Sequence, residues 1–427
     1  MDILASKPEA LDKILLFSKN MSKTLLTKQL ENYDKYLYIN IDHKRFKLIK
    51  FVERTLLTTI GIVKFKRRYY FDEFRNKYVF LLDNQVGIPT NVRMSNELIL
   101  KILSLASIMT YSEVGKHLSD EFELSKFTIW NTIHNTVVES YFDNDIDREG
   151  KKIHVQIDEK FININPSKKR NAKHKKKNKR RYYTLTIFTD YEEYGTKGKR
   201  RLLNKTLISS CELRKLFKRL NEILIDRYKV TIDEEIFVSG DYASYIQKFG
   251  ENILCCKTKY VPDKFHTYKA IKDAFPDLYV DDWTLNNANF QQHLIKMIRN
   301  SKNKNVKKIA TVLKKNPEIF KPYLDISYLG CSQEGQNSHV YAPRFGKYAN
   351  RFLPSTIEKL SLVREARAHN SQICICNKKR LIQKKLDLDV YEYDFSERYK
   401  DALDTSQMKD ESRKIFNTLK YGNWYTY

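Results

Sequence analysis

Three acidic residues stand out for what their side chains can do in combination. Asp158 follows Ile157 in a run of alternating apolar residues, Asp241 follows a short apolar stretch ending in Ser239-Gly240, and Glu334 lies in Cys331-Ser-Gln-Glu-Gly. Hard divalent cations prefer carboxylate oxygens. Two such cations about 4 Å apart can generate a nucleophilic oxygen and stabilise a leaving one, which is what phosphodiester cleavage at neutral pH requires. The acids are 83 and 93 positions apart, so only the fold can bring them together. Singly, each also has an ordinary reading: Asp241 as a helix N-cap, Glu334 as a solvated loop charge, and Glu159 in place of Asp158 as the buried acid.

The elements around these acids have a readable order. Ile153, Val155 and Ile157 alternate with His154, Gln156 and Asp158, so a strand buries one face and sets Asp158 on the other. Residues 182–189 and 201–209 read as two more strands, joined through a turn at Gly195 and Gly198. Leu213, Leu216, Phe217, Leu220, Ile223 and Leu224 recur at helical spacing, and the apolar run 236–238 then forms a strand stopping at Gly240-Asp241. A helical turn or two over 242–249 precedes a fifth strand at 253–256. Three strands, a helix, a strand, a helix and a strand give an α/β fold of RNase H-like type, a mixed sheet with three antiparallel and then parallel strands. Asp158 and Asp241 would be neighbours in it, Asp241 at a carboxyl strand end, where α/β sheets gather ligands. Residues 263–325 are patterned almost wholly as helix, an all-helical insertion ahead of Glu334.

Upstream, residues 1 to about 50 read as helix. A hairpin over 62–71 and 78–82 carries Lys64, Lys66, Arg67 and Arg68 and forms a small β region. Three short helices follow: one capped by Ser95, one beginning at Ser112 and Glu113, one capped by Ser125 and running to Val138. Their lengths suit a helix-turn-helix with Lys126, Thr128, Asn131 and His134 facing DNA, although an ordinary three-helix packing unit gives the same pattern. The expected organisation is an N-terminal helix and hairpin (1–90), a helical DNA-binding region (91–148), the first part of the sheet (149–262), the insertion (263–325), the second part with Glu334 (326–380) and a tail (381–427) with an extended stretch at 386–393.

Charge points to the partner. The 427-residue chain carries 78 Lys and Arg against 52 Asp and Glu, a net charge of +26 that repels itself unless a polyanion neutralises it. An AT-rich genome would also enrich Lys, Asn, Tyr and Ile. Ten Lys or Arg crowd residues 168–181: Lys168, Lys169, Arg170, Lys173, Lys175, Lys176, Lys177, Lys179, Arg180 and Arg181. Such density cannot pack, so this is a solvated loop, either an arm on phosphates or a plain hairpin tip. Double-stranded DNA is the expected partner, bound by a dimer or higher oligomer. No apolar run approaches a membrane span and no secretory pattern opens the chain, so a cytoplasmic, nucleoid-associated protein is expected. Six scattered cysteines, without a C-x-x-C pair, argue against a disulfide framework and a structural zinc site.

Ile157-Asp158-Glu159, the run Ser239-Gly240-Asp241-Tyr242-Ala243-Ser244-Tyr245-Ile246, Asp263-Lys264-Phe265-His266 and Cys331-x-x-Glu334-Gly335 resemble the motif series of ISLre-type insertion-sequence transposases. That family has a DDE core similar to Mutator-like transposases and is sometimes found in integrative conjugative elements. The resemblance covers most of residues 50 to 350. It implies that Asp158, Asp241 and Glu334 bind two Mg2+ or Mn2+ ions, that Glu159, His266 and His339 stand near the site, and that the reaction cuts element ends and joins the 3′ hydroxyl to target DNA. Tyr242 and Tyr245 replace the glycine and tryptophan usual in relatives, which touches local backbone shape more than the acids. Two other readings remain open: a transposase-derived DNA-binding protein without catalysis, and an RNase H-like nuclease that cuts without joining.

Overall fold

The computed structural model describes residues 8–88, 92–142, 145–148, 150–165, 179–194, 199–346, 351–369 and 371–377. The chain divides into two compact units, one of residues 1–139 with 373–427 and one of residues 140–372.

The first unit opens with the long helix α1 (Pro8–Asn40), followed by the antiparallel strands β1 (Phe46–Thr58), β2 (Gly61–Asp72) and β3 (Lys77–Val79). Leu37 on the helix packs with Leu56, Val63 and Phe65 of the sheet. Buried Asp34 holds the helix to β2 by accepting from Arg68 Nη1 at 2.6 Å. The expected helix therefore stops ten residues early. Lys47, Lys50 and Glu53, all exposed on β1, mask its strand pattern. β3 is also shorter than expected, because the chain turns into α2 (Leu81–Gln85).

The three short helices are α3 (Asn96–Ala106), α4 (Tyr111–Lys116) and α5 (Lys126–Asn135). Ser95 and Ser125 cap as expected, accepting from Leu98 N and Thr128 N. The middle helix starts earlier, through a capping box of Thr110 and Glu113. The third stops at Asn135, since the β-branched Thr136-Val-Val begins strand β4 (Thr136–Tyr141).

The second unit holds strands β5 (His154–Asn163), β6 (Lys179–Phe188), β7 (Asp190–Tyr194), β8 (Lys199–Leu203) and β9 (Thr206–Ser210), then helix α6 (Leu213–Asp226) and strand β10 (Glu235–Gly240). After α7 (Ser244–Gln247) comes β11 (Lys257–Pro262). A five-stranded sheet has the order β11-β10-β5-β6-β9. β6 runs antiparallel to β5 and β9, and β10 runs parallel to β5 and β11. Two expectations are corrected. Residues 201–209 form two strands, broken where Asn204 takes φ +52°, and the first of them pairs with β7 outside the main sheet. The fifth strand lies at Lys257–Pro262 rather than 253–256, its alternation hidden by Lys257 and Lys259.

Both faces of the sheet are covered. Leu216, Leu220 and Leu224 of α6 pack on Val155, Ile157, Leu185 and Val238. Against Phe237 and Val261 lie the insertion helices α8 (Lys264–Ala274), α9 (Asp282–Leu285), α10 (Ala288–Asn300) and α11 (Lys304–Lys315), which contribute Ile271, Leu294, Ile309 and Leu313. Apolar residues at helical spacing on α10 and α11 explain this layer. Because both faces are covered, His154 and Gln156 are buried too, so the first strand buries both faces there and not one as expected. The chain continues through α12 (Gln333–Gln336), α13 (Ala342–Phe345) and α14 (Pro354–Ala368), and β12 (Gln372–Asn377) ends the described part. The tail 381–427 with its stretch 386–393, and Gly195 and Gly198, lie outside the described residues. Among the described residues no helix is long and apolar enough to cross a membrane.

Candidate functional site

The pairing of β10 with β5 runs from Phe237 opposite His154 to Ser239 opposite Gln156. Two residues further along each parallel strand, Asp241 comes level with Asp158. Gly240 makes this approach possible: a Cβ there would stand 2.7 Å from the carbonyl oxygen of Ile157 and 2.8 Å from Ile246 Cγ2. No larger residue fits without moving one of the two strand ends.

Asp158 is half-buried. One carboxylate oxygen accepts from Glu159 N at 2.7 Å and the other from Asn337 Nδ2 at 2.6 Å. Burial pushes its pKa above the ordinary carboxylate value despite these bonds, and the neighbouring charge of Asp241 adds to the rise. Asp241 accepts from Ala243 N at 2.8 Å, while its carbonyl takes the Tyr260 hydroxyl at 2.8 Å.

Glu334 arrives on the exposed side of α12, and the stretch carrying it is tied to the sheet residue by residue. Gln156 donates to Gly330 O at 2.7 Å and accepts from Ser332 N at 2.9 Å. Gln333 donates to Thr184 Oγ1 at 3.1 Å, and Lys160 donates to Asn337 O at 3.2 Å. Asp158, Asp241 and Glu334 thereby line one cavity of about 410 Å3. Asp263 joins them from the end of β11, where it also caps α8 by accepting from Phe265 N at 2.8 Å. His266, Lys269 and Lys308 of α8 and α11 line the same cavity, as does Asp273 of α8, so acidic and basic side chains share it.

The remaining expected residues divide. His266 lines the cavity, its Nε2 3.9 Å from Asp263 Oδ2. His339 is exposed on a π-helical turn and does not line it. Glu159 alternates away from Asp158 and lies 3.6 Å from Arg181. Lys126 and Asn131 are exposed on α5, whereas the Thr128 hydroxyl bonds Ser125 Oγ at 3.0 Å and His134 stacks on Trp130. Arg180 lies 3.5 Å from Glu212, and Lys179 is exposed. Lys168, Lys169, Arg170, Lys173, Lys175, Lys176 and Lys177 lie outside the described residues. Gln156, Asn337, Lys269 and Lys308 carry no sequence signal of their own. Asp263 could have been found as an acid ending the fifth strand, had that strand been placed correctly.

The carboxylates supply the oxygens a hard cation needs, and no described Lys or Arg is ion-paired to Asp158, Asp241 or Glu334. Among the described residues no three His, Cys, Asp or Glu side chains are already drawn together closely enough to hold an ion. The donors are carboxylate oxygens of the kind divalent cations take, and the pKa of Asp158 is raised first by burial, with the Asp241 charge adding to it.

Residues 8–371 match the Uncharacterised protein family (UPF0236), and the chain belongs to that family. It is similar to the UPF0236 proteins TTE2489 and TTE0402 of Caldanaerobacter subterraneus subsp. tengcongensis, 24% identical to each over 311 residues. The match takes in 69% of this chain and 64% and 60% of theirs, so the chain spans less than two thirds of these relatives' length. A third relative from the same organism, 23% identical over 315 residues (69% of this chain, 63% of that one), carries eleven locus designations in one name, from TTE0033 to TTE2212. Among solved structures, the Drosophila P element transposase strand transfer complex is similar at a TM-score of 0.24 and 11% identity, covering 71% of this chain and 85% of that one.

Proposed function

We propose that this chain is a DDE-type transposase that cuts and joins DNA with divalent cations, through Asp158, Asp241 and Glu334. The observation that carries the reading is the convergence of these three acids, far apart in sequence, on one cavity. The strand order, antiparallel over β5, β6 and β9 and parallel over β10 and β11, supports an RNase H-like sheet with Asp241 at a carboxyl strand end. One protein name spanning eleven loci is what a sequence copied around a genome gives, and it supports a mobile element.

Two divalent ions, when bound, would activate the attacking oxygen and stabilise the leaving one, first for hydrolysis and then for joining of the 3′ hydroxyl. Asp158 and Asp241 would hold them from the sheet, and Glu334 from α12. Asn337 keeps one Asp158 oxygen oriented, and Lys269 and Lys308 attract the DNA phosphates to the cavity. The net charge of +26 draws duplex DNA more generally.

The test is nicking of supercoiled DNA and strand transfer in Mg2+ or Mn2+. Wild type is expected to do both, and Asp158→Asn and Asp241→Asn neither; full activity in either variant defeats the assignment. Because the acids are not already drawn into an ion-holding group, a DNA-binding protein without catalysis is the second reading, and DNA binding with no nicking in either metal would establish it. Nicked products without joined ones would indicate a nuclease instead.

A further inference from the structure

A second cavity, of about 420 Å3, abuts the first and shares Asp263 and Cys331 with it. Its lining differs in kind. Tyr191, Leu202, Phe265, Tyr268 and Leu329 make it aromatic and aliphatic, with Lys264 at its edge. That volume falls within the roughly 300–1,000 Å3 of small-ligand clefts. Phe265 is 57% exposed, although it occupies the first turn of α8, a helix with an apolar layer available for burial. Its ring meets His266 edge-on at 5.5 Å and has Lys269 Nζ 5.7 Å from its centroid. An exposed ring with an imidazole and an ammonium group beside it matches the stacking platforms that bind single-stranded nucleic acid.

We propose that this aromatic cavity takes a nucleobase of the DNA strand being cut, stacked on Phe265, while the adjoining phosphate lies between the acids and Lys269. The inference rests on the reading of the first cavity as a phosphodiester site and adds a residue that grips the base. The shared wall supports one continuous strand, since a phosphate over the acids leaves its neighbouring base beside Asp263 and Cys331, at the mouth of the second cavity. Phosphate contacts hold a strand without regard to its bases, whereas a ring contact is lost when the base is removed.

The experiment measures binding of the full chain, in EDTA, to an oligodeoxythymidylate and to an abasic strand of equal length. Wild type is expected to prefer the thymidylate by about 5- to 150-fold, the range for one stacked base. Phe265→Ala should remove that preference and Phe265→Trp retain it, with circular dichroism unchanged because the side chain is largely exposed. The salt dependence should stay as in wild type for Phe265→Ala and flatten for Lys269→Gln, which loses a phosphate contact. An undiminished preference in Phe265→Ala, or an equal loss in Phe265→Trp, overturns the proposal. Asp241→Asn separates the two readings: it should bind the base as wild type does while nicking nothing. Wild-type nicking by that variant would remove the catalytic reading and leave the stacking result standing.

Discussion

Replacing Gln156 by leucine tests how Glu334 is held. Gln156 is fully buried and makes three hydrogen bonds to one stretch of chain: to Gly330 O at 2.7 Å, from Ser332 N at 2.9 Å and from Ser332 Oγ at 3.2 Å. Leucine nearly conserves the volume, so little cavity energy is added and the loss is chiefly the bonds. At about 0.5–1.5 kcal/mol net for each, three bonds sum to about 1.5–4.5 kcal/mol. Water reaching the loosened loop lowers the upper end, and about 2–3 kcal/mol is expected. For a unit of this size that lowers the melting temperature by about 5–10 °C. Activity should suffer more than stability, because a displacement of the third acid by about 1 Å can cost about 100-fold in rate. Thermal denaturation and Mg2+-dependent nicking, both measured where the variant is still folded, check this. Gln156→Leu with stability within about 0.5 kcal/mol of wild type and full nicking would refute the argument that this side chain latches the Glu334 stretch.

Gly240→Ala should cost about 1–3 kcal/mol in urea denaturation and abolish nicking, because its methyl group would push on the Ile157 carbonyl next to Asp158; an alanine variant as stable and active as wild type would contradict this close approach. Burial among Phe188, Phe237 and Tyr328 lowers the His154 pKa from 6.5 to about 4, so its stabilising contribution is full above 6.5 and lost as pH falls through about 4. Stability measured between those pH values should therefore decline less in His154→Phe than in wild type, and parallel profiles would sink the idea. Glu365 is fully buried, accepting from Arg219 Nη1 at 2.8 Å, Tyr341 at 3.1 Å and Ser209, so Glu365→Leu takes the carboxylate acceptor away from a cation and two hydroxyl donors. A loss of about 3–5 kcal/mol by denaturant titration is expected, and a loss below about 1 kcal/mol would show that the network re-pairs locally.

Asp158 and Asp241 were readable from the apolar residues before them: Asp158 continues an alternating run inside β5, and Asp241 follows the apolar run that closes β10. Periodicity made β5, β6, α6 and β10 legible as elements, since each repeats cleanly. What periodicity missed was set by contacts distant in sequence. Gln156 looks like the solvent side of an alternating strand, and only the layers over both faces of the sheet make it a buried clamp. Lys257 and Lys259 disguised β11 and with it the position of Asp263. Asn337 resembles any polar residue of a short helix until the fold brings Asp158 to it. Exposure of Lys47 to Phe51 on both faces of β1 hid a strand of 13 residues, because alternation is lost where neither side is buried.

The chain leaves the sheet at Asp263 and is back beside it by Gly330, and both residues border the same aromatic cavity. A segment whose two ends meet is a cassette: it can be shortened, enlarged or exchanged without stretching the framework it departs from. Two conditions limit the exchange, the first being that Phe265, Lys269 and Lys308, which this segment gives to the two cavities, go with it. Whatever replaces α8 to α11 must still cover Phe237, Tyr242 and Val261, since an open apolar face there would invite aggregation. A change in the length of this chain is therefore best absorbed here, beside the acidic cavity.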